Sequence, residues 1–185
     1  MRAFIAISVP EDCIVSLEGF VGSLKRLLPE ARFVPRHQFH ITLHFFGAID
    51  EDEALAISSA MKTLLKEEKQ FRIVLSGLGT FPNERNPRVL WLGLKEGGAK
   101  CNEIQHKLGY HIRSLGIPTE EKDFHPHLTL ARFKDFSRKR QIKLKELPSF
   151  ETAFQADRVV FYKSELTPSG AIHTPLFICG LKTDE

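Results

Sequence analysis

Two short stretches carry the residues whose types and spacing could do chemistry: His40-Ile41-Thr42-Leu43 and His127-Leu128-Thr129-Leu130. Each lies in a run rich in strand formers, and on a strand residues two apart face the same way. His40 and Thr42 thus share one face, with Ile41 and Leu43 on the other, and His127 and Thr129 repeat this against Leu128 and Leu130. The copies stand almost half of the 185-residue chain apart, which points to one site built from two matching lobes. Imidazole is the side chain that changes charge near neutral pH. Two imidazoles facing each other across a cleft, one protonated and one neutral, can serve both halves of an acid-base reaction. Each such proton transfer is worth about 10²- to 10⁴-fold in rate. The threonine hydroxyls are short, rigid donors whose reach suits the non-bridging oxygens of a phosphate. Alone, a His-x-Thr on a strand reads as a half-buried histidine bonded to a neighbour. Two copies, each followed by leucine, favour the catalytic reading.

The pattern contains no nucleophilic cysteine, no paired carboxylates and no metal set. His125 invites a metal reading, but it precedes Pro126 and no Asp, Glu or Cys completes a ligand set, so a supporting role is expected. His44 shares the His40 face on strict alternation and is expected to be exposed at the strand end. His37, His106, His111 and His173 have no readable partner and are taken as structural or surface residues.

The elements that must position the two motifs can be read in order. Arg2 to Ser8 is a strand. Pro10-Glu11-Asp12 starts a helix whose apolar residues, Ile14, Leu17, Val21, Leu24 and Leu28, recur at three and four positions. Phe33-Val34 is a short strand, and Phe39 to Phe46 carries the first motif. Asp50 or Asp52 caps a helix running to about Glu68. Strands follow at Phe71 to Leu78, with a turn or bulge at Gly77 and Gly79, and at Arg88 to Leu94. A third helix has Ile104, Leu108, Ile112 and Leu115 as its buried stripe. Asp123 to Phe133 carries the second motif. Residues 137 to 147 form a short basic helix or a loop, Ala153 to Ser164 a strand, and His173 to Leu181 a final strand after the turn at Pro168-Ser169-Gly170. Helices alternating with closely spaced strand pairs give an α+β fold: one bilobal domain over residues 1–185, with two pseudo-symmetric lobes of mainly antiparallel sheet flanked by helices and a cleft between them.

A chain of this length needs neither disulfide nor metal to hold its core. Its hydrophobic content of 42% and charged content of 26% describe an ordinary soluble protein. The net charge of +3 is compatible with an anionic substrate. Arg138, Lys139, Arg140, Lys143 and Lys145 cluster, either as a solvated face or as a surface that steers polyanions. Cys13, Cys101 and Cys179 are scattered and odd in number, which argues for a reducing compartment and against a zinc site. No stretch approaches a membrane span. The sequence therefore reads as a cytoplasmic protein without membrane contact, and nothing in it demands more than a monomer.

At these residues the sequence resembles the 2H phosphoesterase superfamily, and more closely the RNA 2′,3′-cyclic phosphodiesterases, historically called 2′-5′ RNA ligases. The resemblance rests on Arg2 to Ile7, on Arg32-Phe33-Val34-Pro35 leading into His40 to Gly47, on Pro87 to Trp91, and most specifically on Phe124 to Arg132. Ser164-Glu165-Leu166 with Pro168 and Gly170 also fits; where relatives tend to carry tyrosine after that glycine, this chain has His173. The resemblance implies hydrolysis of an RNA 3′ end or nucleotide bearing a 2′,3′-cyclic phosphate to a 2′-phosphate, with no metal and no cofactor. His127 is then the base that draws a proton from water, and His40 the acid that protonates the departing 3′ oxygen. Thr42 and Thr129 hold the phosphate oxygens. Phe45 and Arg132, each five residues after a motif histidine, are candidates to hold the terminal nucleoside. Strict alternation puts both on the wrong face, so this role requires a bulge. Reversible 2′-5′ linkage chemistry and a non-catalytic RNA-end-binding module are the alternatives.

Overall fold

The computed structural model describes residues 1–120, 123–134, 141–168 and 170–183. Its order is β1 (Arg2–Ser8), α1 (Glu11–Leu27), β2 (Arg32–Phe33), β3 (His40–Ala48), α2 (Glu51–Leu65), β4 (Phe71–Phe81), β5 (Val89–Glu96), α3 (Gly98–Ser114), β6 (His127–Arg132), β7 (Glu151–Ala156), β8 (Arg158–Thr167) and β9 (Gly170–Gly180). The strands lie side by side as β7-β4-β5-β6-β3-β1-β8-β9, with β2 added on β6. Every pairing between these strands is antiparallel. The α+β expectation of two lobes holds. One lobe carries β3, β1, β8 and β9, the other β6, β5, β4 and β7, and the strands of the two motifs meet in the middle.

The apolar faces of the motif strands fix this arrangement. Ile41, Leu128 and Leu130 are fully buried and Leu43 nearly so. A slip of one residue would turn these side chains outward and push the histidines into the core. Burying each large aliphatic side chain is worth about 1.5–3 kcal/mol, so the register is strongly held. The helices begin where their charges allow. α1 opens on Glu11 and Asp12 and closes on Lys25 and Arg26, complementing its dipole. α2 starts with a capping box in which Asp50 accepts from the Glu53 amide and Glu53 reaches back. α3 packs against β3 and β5, behind the motif strands.

Several elements differ from expectation. Leu115 caps α3 instead of joining its buried stripe and is 48% exposed, and β4 continues past Leu78 to Phe81. Residues 151 to 167 are two strands, β7 pairing with β4 and β8 with β1, so the chain crosses from one lobe to the other at Asp157. Asp157 leaves the ladder, accepts the Leu181 amide and is gripped by the fork of Arg158; these two adjacent polar residues interrupt the alternation between Ala156 and Val159. The paired part of the second motif strand begins only at His127, because Pro126 has no amide to give the ladder. Of the basic stretch, Lys143 precedes and Lys145 lies within a single 3₁₀ turn, Leu144–Glu146. Arg138, Lys139, Arg140 and Ser169 lie outside the described residues.

Candidate active site

The two motif strands touch at one pair, Ile41 opposite Leu128. In an antiparallel register this sets His40 beside Thr129 and Thr42 beside His127. Each half of the cleft therefore combines a histidine of one lobe with a threonine of the other. His40, Thr42, Phe45, Thr129 and Arg132 line a single cavity of about 240 Å³. His127 flanks this cavity rather than lining it, and its charge acts on the His40 imidazole.

Both histidines are held in the same way. His40 Nδ1 lies 2.7 Å from the carbonyl oxygen of Gln38, and His127 Nδ1 lies 2.7 Å from that of His125. A carbonyl only accepts, so each ring donates from Nδ1, and in the neutral form Nε2 is the acceptor nitrogen. His125 thus contributes through its backbone, two residues before its motif, as Gln38 does in the other lobe.

The bulge that Phe45 and Arg132 require occurs in both lobes. Along β1, Ala6 faces Thr42 but Ile5 faces His44, leaving Leu43 as the extra residue. Along β5, Trp91 faces Thr129 but Leu90 faces Ala131, leaving Leu130 extra. Each bulge falls three residues after its motif histidine and reverses the alternation as far as Phe45 and Arg132; in β3 a second shift follows at Phe46. Phe45 and Arg132 consequently return to the cleft. The Arg2 guanidinium lies 5.3 Å from the centre of the Phe45 ring.

The same bulge corrects the reading of His44. It is 3% exposed, turned inward with Leu43, and its Nε2 lies 2.7 Å from the carbonyl oxygen of Gln105 in α3. Gly109 makes room for it, since a Cβ there would come within 2.8 Å of the ring. Burial lowers the His44 pKa, against the opposing effect of that bond.

The two motif histidines sit in different surroundings. His40 packs against Phe4, ring centres 4.8 Å apart, with His173 at 5.6 Å and Tyr162 at 6.5 Å. Burial pulls its pKa down to about 4, the Gln38 bond opposes this, and the charges of His173, Arg132 and His127 add to the depression. His127 packs against Phe81 at 5.0 Å and Trp91 at 6.0 Å. Burial lowers its pKa too, but by less, opposed by the His125 bond and reinforced by the charges of His125 and Arg132. Burial thus favours the neutral form of both imidazoles at pH 7, and the charge of Arg132 acts on both rings.

His173 was not foreseen as a site residue. It comes from β9, directly opposite Ser164 of β8, and both line the cavity. Its Nδ1 is buried and has no hydrogen-bond partner among the described residues. The histidine-for-tyrosine difference after Gly170 was the one signal that marked it. Among the described residues no group of three or more His, Cys, Asp or Glu converges as a metal set.

The fold and cleft define a two-lobed α+β protein with one histidine-threonine pair from each lobe. The chain belongs to the 2′-5′ RNA ligase superfamily, whose model matches residues 15–168. A relative from Methanothermobacter thermautotrophicus, named RNA 2′,3′-cyclic phosphodiesterase, is 31% identical over 95% of this chain and 96% of its own. One of the same name from Thermotoga maritima is 31% identical over 97% of this chain and 95% of its own. A solved structure from Thermus thermophilus superposes with a TM-score of 0.80 at 30% identity, covering all of both chains.

Proposed function

We propose that the protein hydrolyses RNA 2′,3′-cyclic phosphate ends to 2′-phosphomonoesters, without metal, by paired-histidine acid-base catalysis. What supports the reading is the register with Ile41 opposite Leu128, which brings His40 beside Thr129 and Thr42 beside His127 on neighbouring strands. The names of the full-length relatives agree with it.

Water attacks phosphorus as His127 Nε2 takes its proton. The bond from phosphorus to the 3′ oxygen breaks, and His40 Nε2 gives that oxygen a proton. A 2′-phosphate and a free 3′ hydroxyl result, with the proton passing back through solvent. Thr42 and Thr129 hold the non-bridging oxygens, while Phe45 and Arg132 hold the terminal nucleoside and Arg132 also offsets phosphate charge. Burial keeps His40 neutral at pH 7, so its proton arrives with the substrate, whose negative charge raises the histidine pKa. A 5′ hydroxyl attacking phosphorus in place of water, with the same loss of the 3′ oxygen, would form a 2′-5′ linkage from the same groups, and the reverse of that step would cleave the linkage back to the cyclic phosphate.

On the same reading the chain acts as one bilobal unit and as a monomer. Three buried free cysteines suit a reducing cytoplasm, and no helix among the described residues is long and apolar enough to cross a membrane. The test is an oligonucleotide ending in a 2′,3′-cyclic phosphate, incubated in EDTA. A 2′-monoester is expected; strict dependence on an added divalent ion would overturn the mechanism.

A further inference from the structure

Beside the catalytic cavity runs a trench of about 580 Å³ that shares Val34, Gln38 and Arg132 with it. Along its floor β2 lies next to β6, and Arg32 stands directly opposite Arg132. Directly opposed residues of an antiparallel pair project from the same face, about 4.5–5.5 Å apart at Cβ. Like charges at that spacing destabilise the pair unless an anion lies between them. Arg32 has no ion pair among the described residues, and no Asp or Glu among them lines the trench. Lys134, two residues beyond Arg132, adds another exposed cation, while Phe33, Val34 and Val89 supply an apolar wall.

Cations that track a backbone beside apolar and aromatic surface are what single-stranded nucleic acid needs. The trench opens at Arg132, where the terminal phosphate and nucleoside are held. We propose that it carries the RNA chain on the 5′ side of the cyclic-phosphate end, with a backbone phosphate between Arg32 and Arg132 and the next one toward Lys134. The 3′ end of an RNA strand is then preferred over a free cyclic mononucleotide. This rests on the cyclic-phosphodiesterase reading of the cleft and adds a binding site outside it.

The test compares a 2′,3′-cyclic mononucleotide with a ten-residue RNA carrying the same end, for the wild type and for Arg32→Glu and Lys134→Glu. At low salt the wild type is expected to show roughly tenfold higher kcat/KM on the RNA, and this advantage shrinks as salt rises. Each variant lowers kcat/KM on the RNA by about tenfold, through KM, and its salt slope by about 0.7 for each phosphate no longer neutralised. Turnover of the mononucleotide stays within about twofold, which also shows that the variants fold. Equal wild-type kcat/KM on both substrates, or a parallel fall on both in the variants, overturns the trench. If the wild type hydrolyses neither substrate, it is the catalytic reading that fails, and fluorescence anisotropy of the labelled RNA then judges the trench. A roughly tenfold weaker Kd in Arg32→Glu keeps it, and unchanged binding removes it.

Discussion

The His40 and His127 halves of the cleft share a local design but not an environment. Both have a histidine fixed through Nδ1 to the carbonyl two residues earlier, a threonine two residues later, and a bulge at the third residue. Around that common frame, the His40 lobe closes with Phe4, Tyr162 and His173, whereas the His127 lobe presents Phe81 and Trp91. The deeper ring is the more desolvated and has the lower pKa. A repeated motif can thus yield two unlike groups, because tautomer and aim are set by local backbone while proton affinity is set by what packs on the ring.

The comparison breaks most sharply in the histidines themselves. His40→Ala and His127→Ala should each lower kcat by about 10²- to 10⁴-fold. The two should part on a substrate whose 3′ bridging oxygen is replaced by sulfur, since a thiolate leaves without a proton. His40→Ala should recover much of its activity there and His127→Ala should not; recovery of the second alone would reverse the acid and base roles. The threonines should behave alike, Thr42→Val and Thr129→Val each costing about 10²- to 10³-fold in kcat if both hold developing charge on the phosphate oxygens. A large loss for one and none for the other would mean that the phosphate sits in one lobe only.

Acid stability sharpens the contrast in burial. His40 titrates near 4 in the folded chain and near 6.5 unfolded, so the unfolded state binds more protons between those values. Stability therefore falls as pH drops from 6.5 toward 4, by about 3 kcal/mol from this group. Urea midpoints measured across that window should fall less steeply for His40→Asn than for the wild type. The smallest effect belongs to the support of His127. A Cβ at Gly79 would come within 2.1 Å of the Trp91 ring, so Gly79→Ala should cost about 1–3 kcal/mol in urea unfolding and lower kcat by less than either threonine variant.

The sequence carried the motifs, their faces, the α+β class and most element boundaries, because alternation and helical spacing are properties of the local chain. What it could not carry depends on neighbouring strands. The bulges at Leu43 and Leu130 exist only in register with β1 and β5, so Phe45 and Arg132 could be named as candidates only on condition of a bulge. For the same reason His44 reads as exposed although it lies under α3. His173 enters the cleft through the long β8–β9 hairpin, more than a hundred residues along the chain from His40. The change of lobe at Asp157 leaves only a small local mark, the adjacent polar residues Asp157 and Arg158 between Ala156 and Val159, because which strand each side pairs with is decided by distant neighbours.

The central claim is that one imidazole from each lobe acts on one cyclic phosphate. The most direct measurement follows an RNA ending in a 2′,3′-cyclic phosphate in EDTA, with the wild type and each single histidine variant, and identifies the monoester formed. The account predicts a 2′-phosphate from the wild type and almost none from either variant. A 3′-phosphate product, or hydrolysis that survives the loss of either ring, would contradict it.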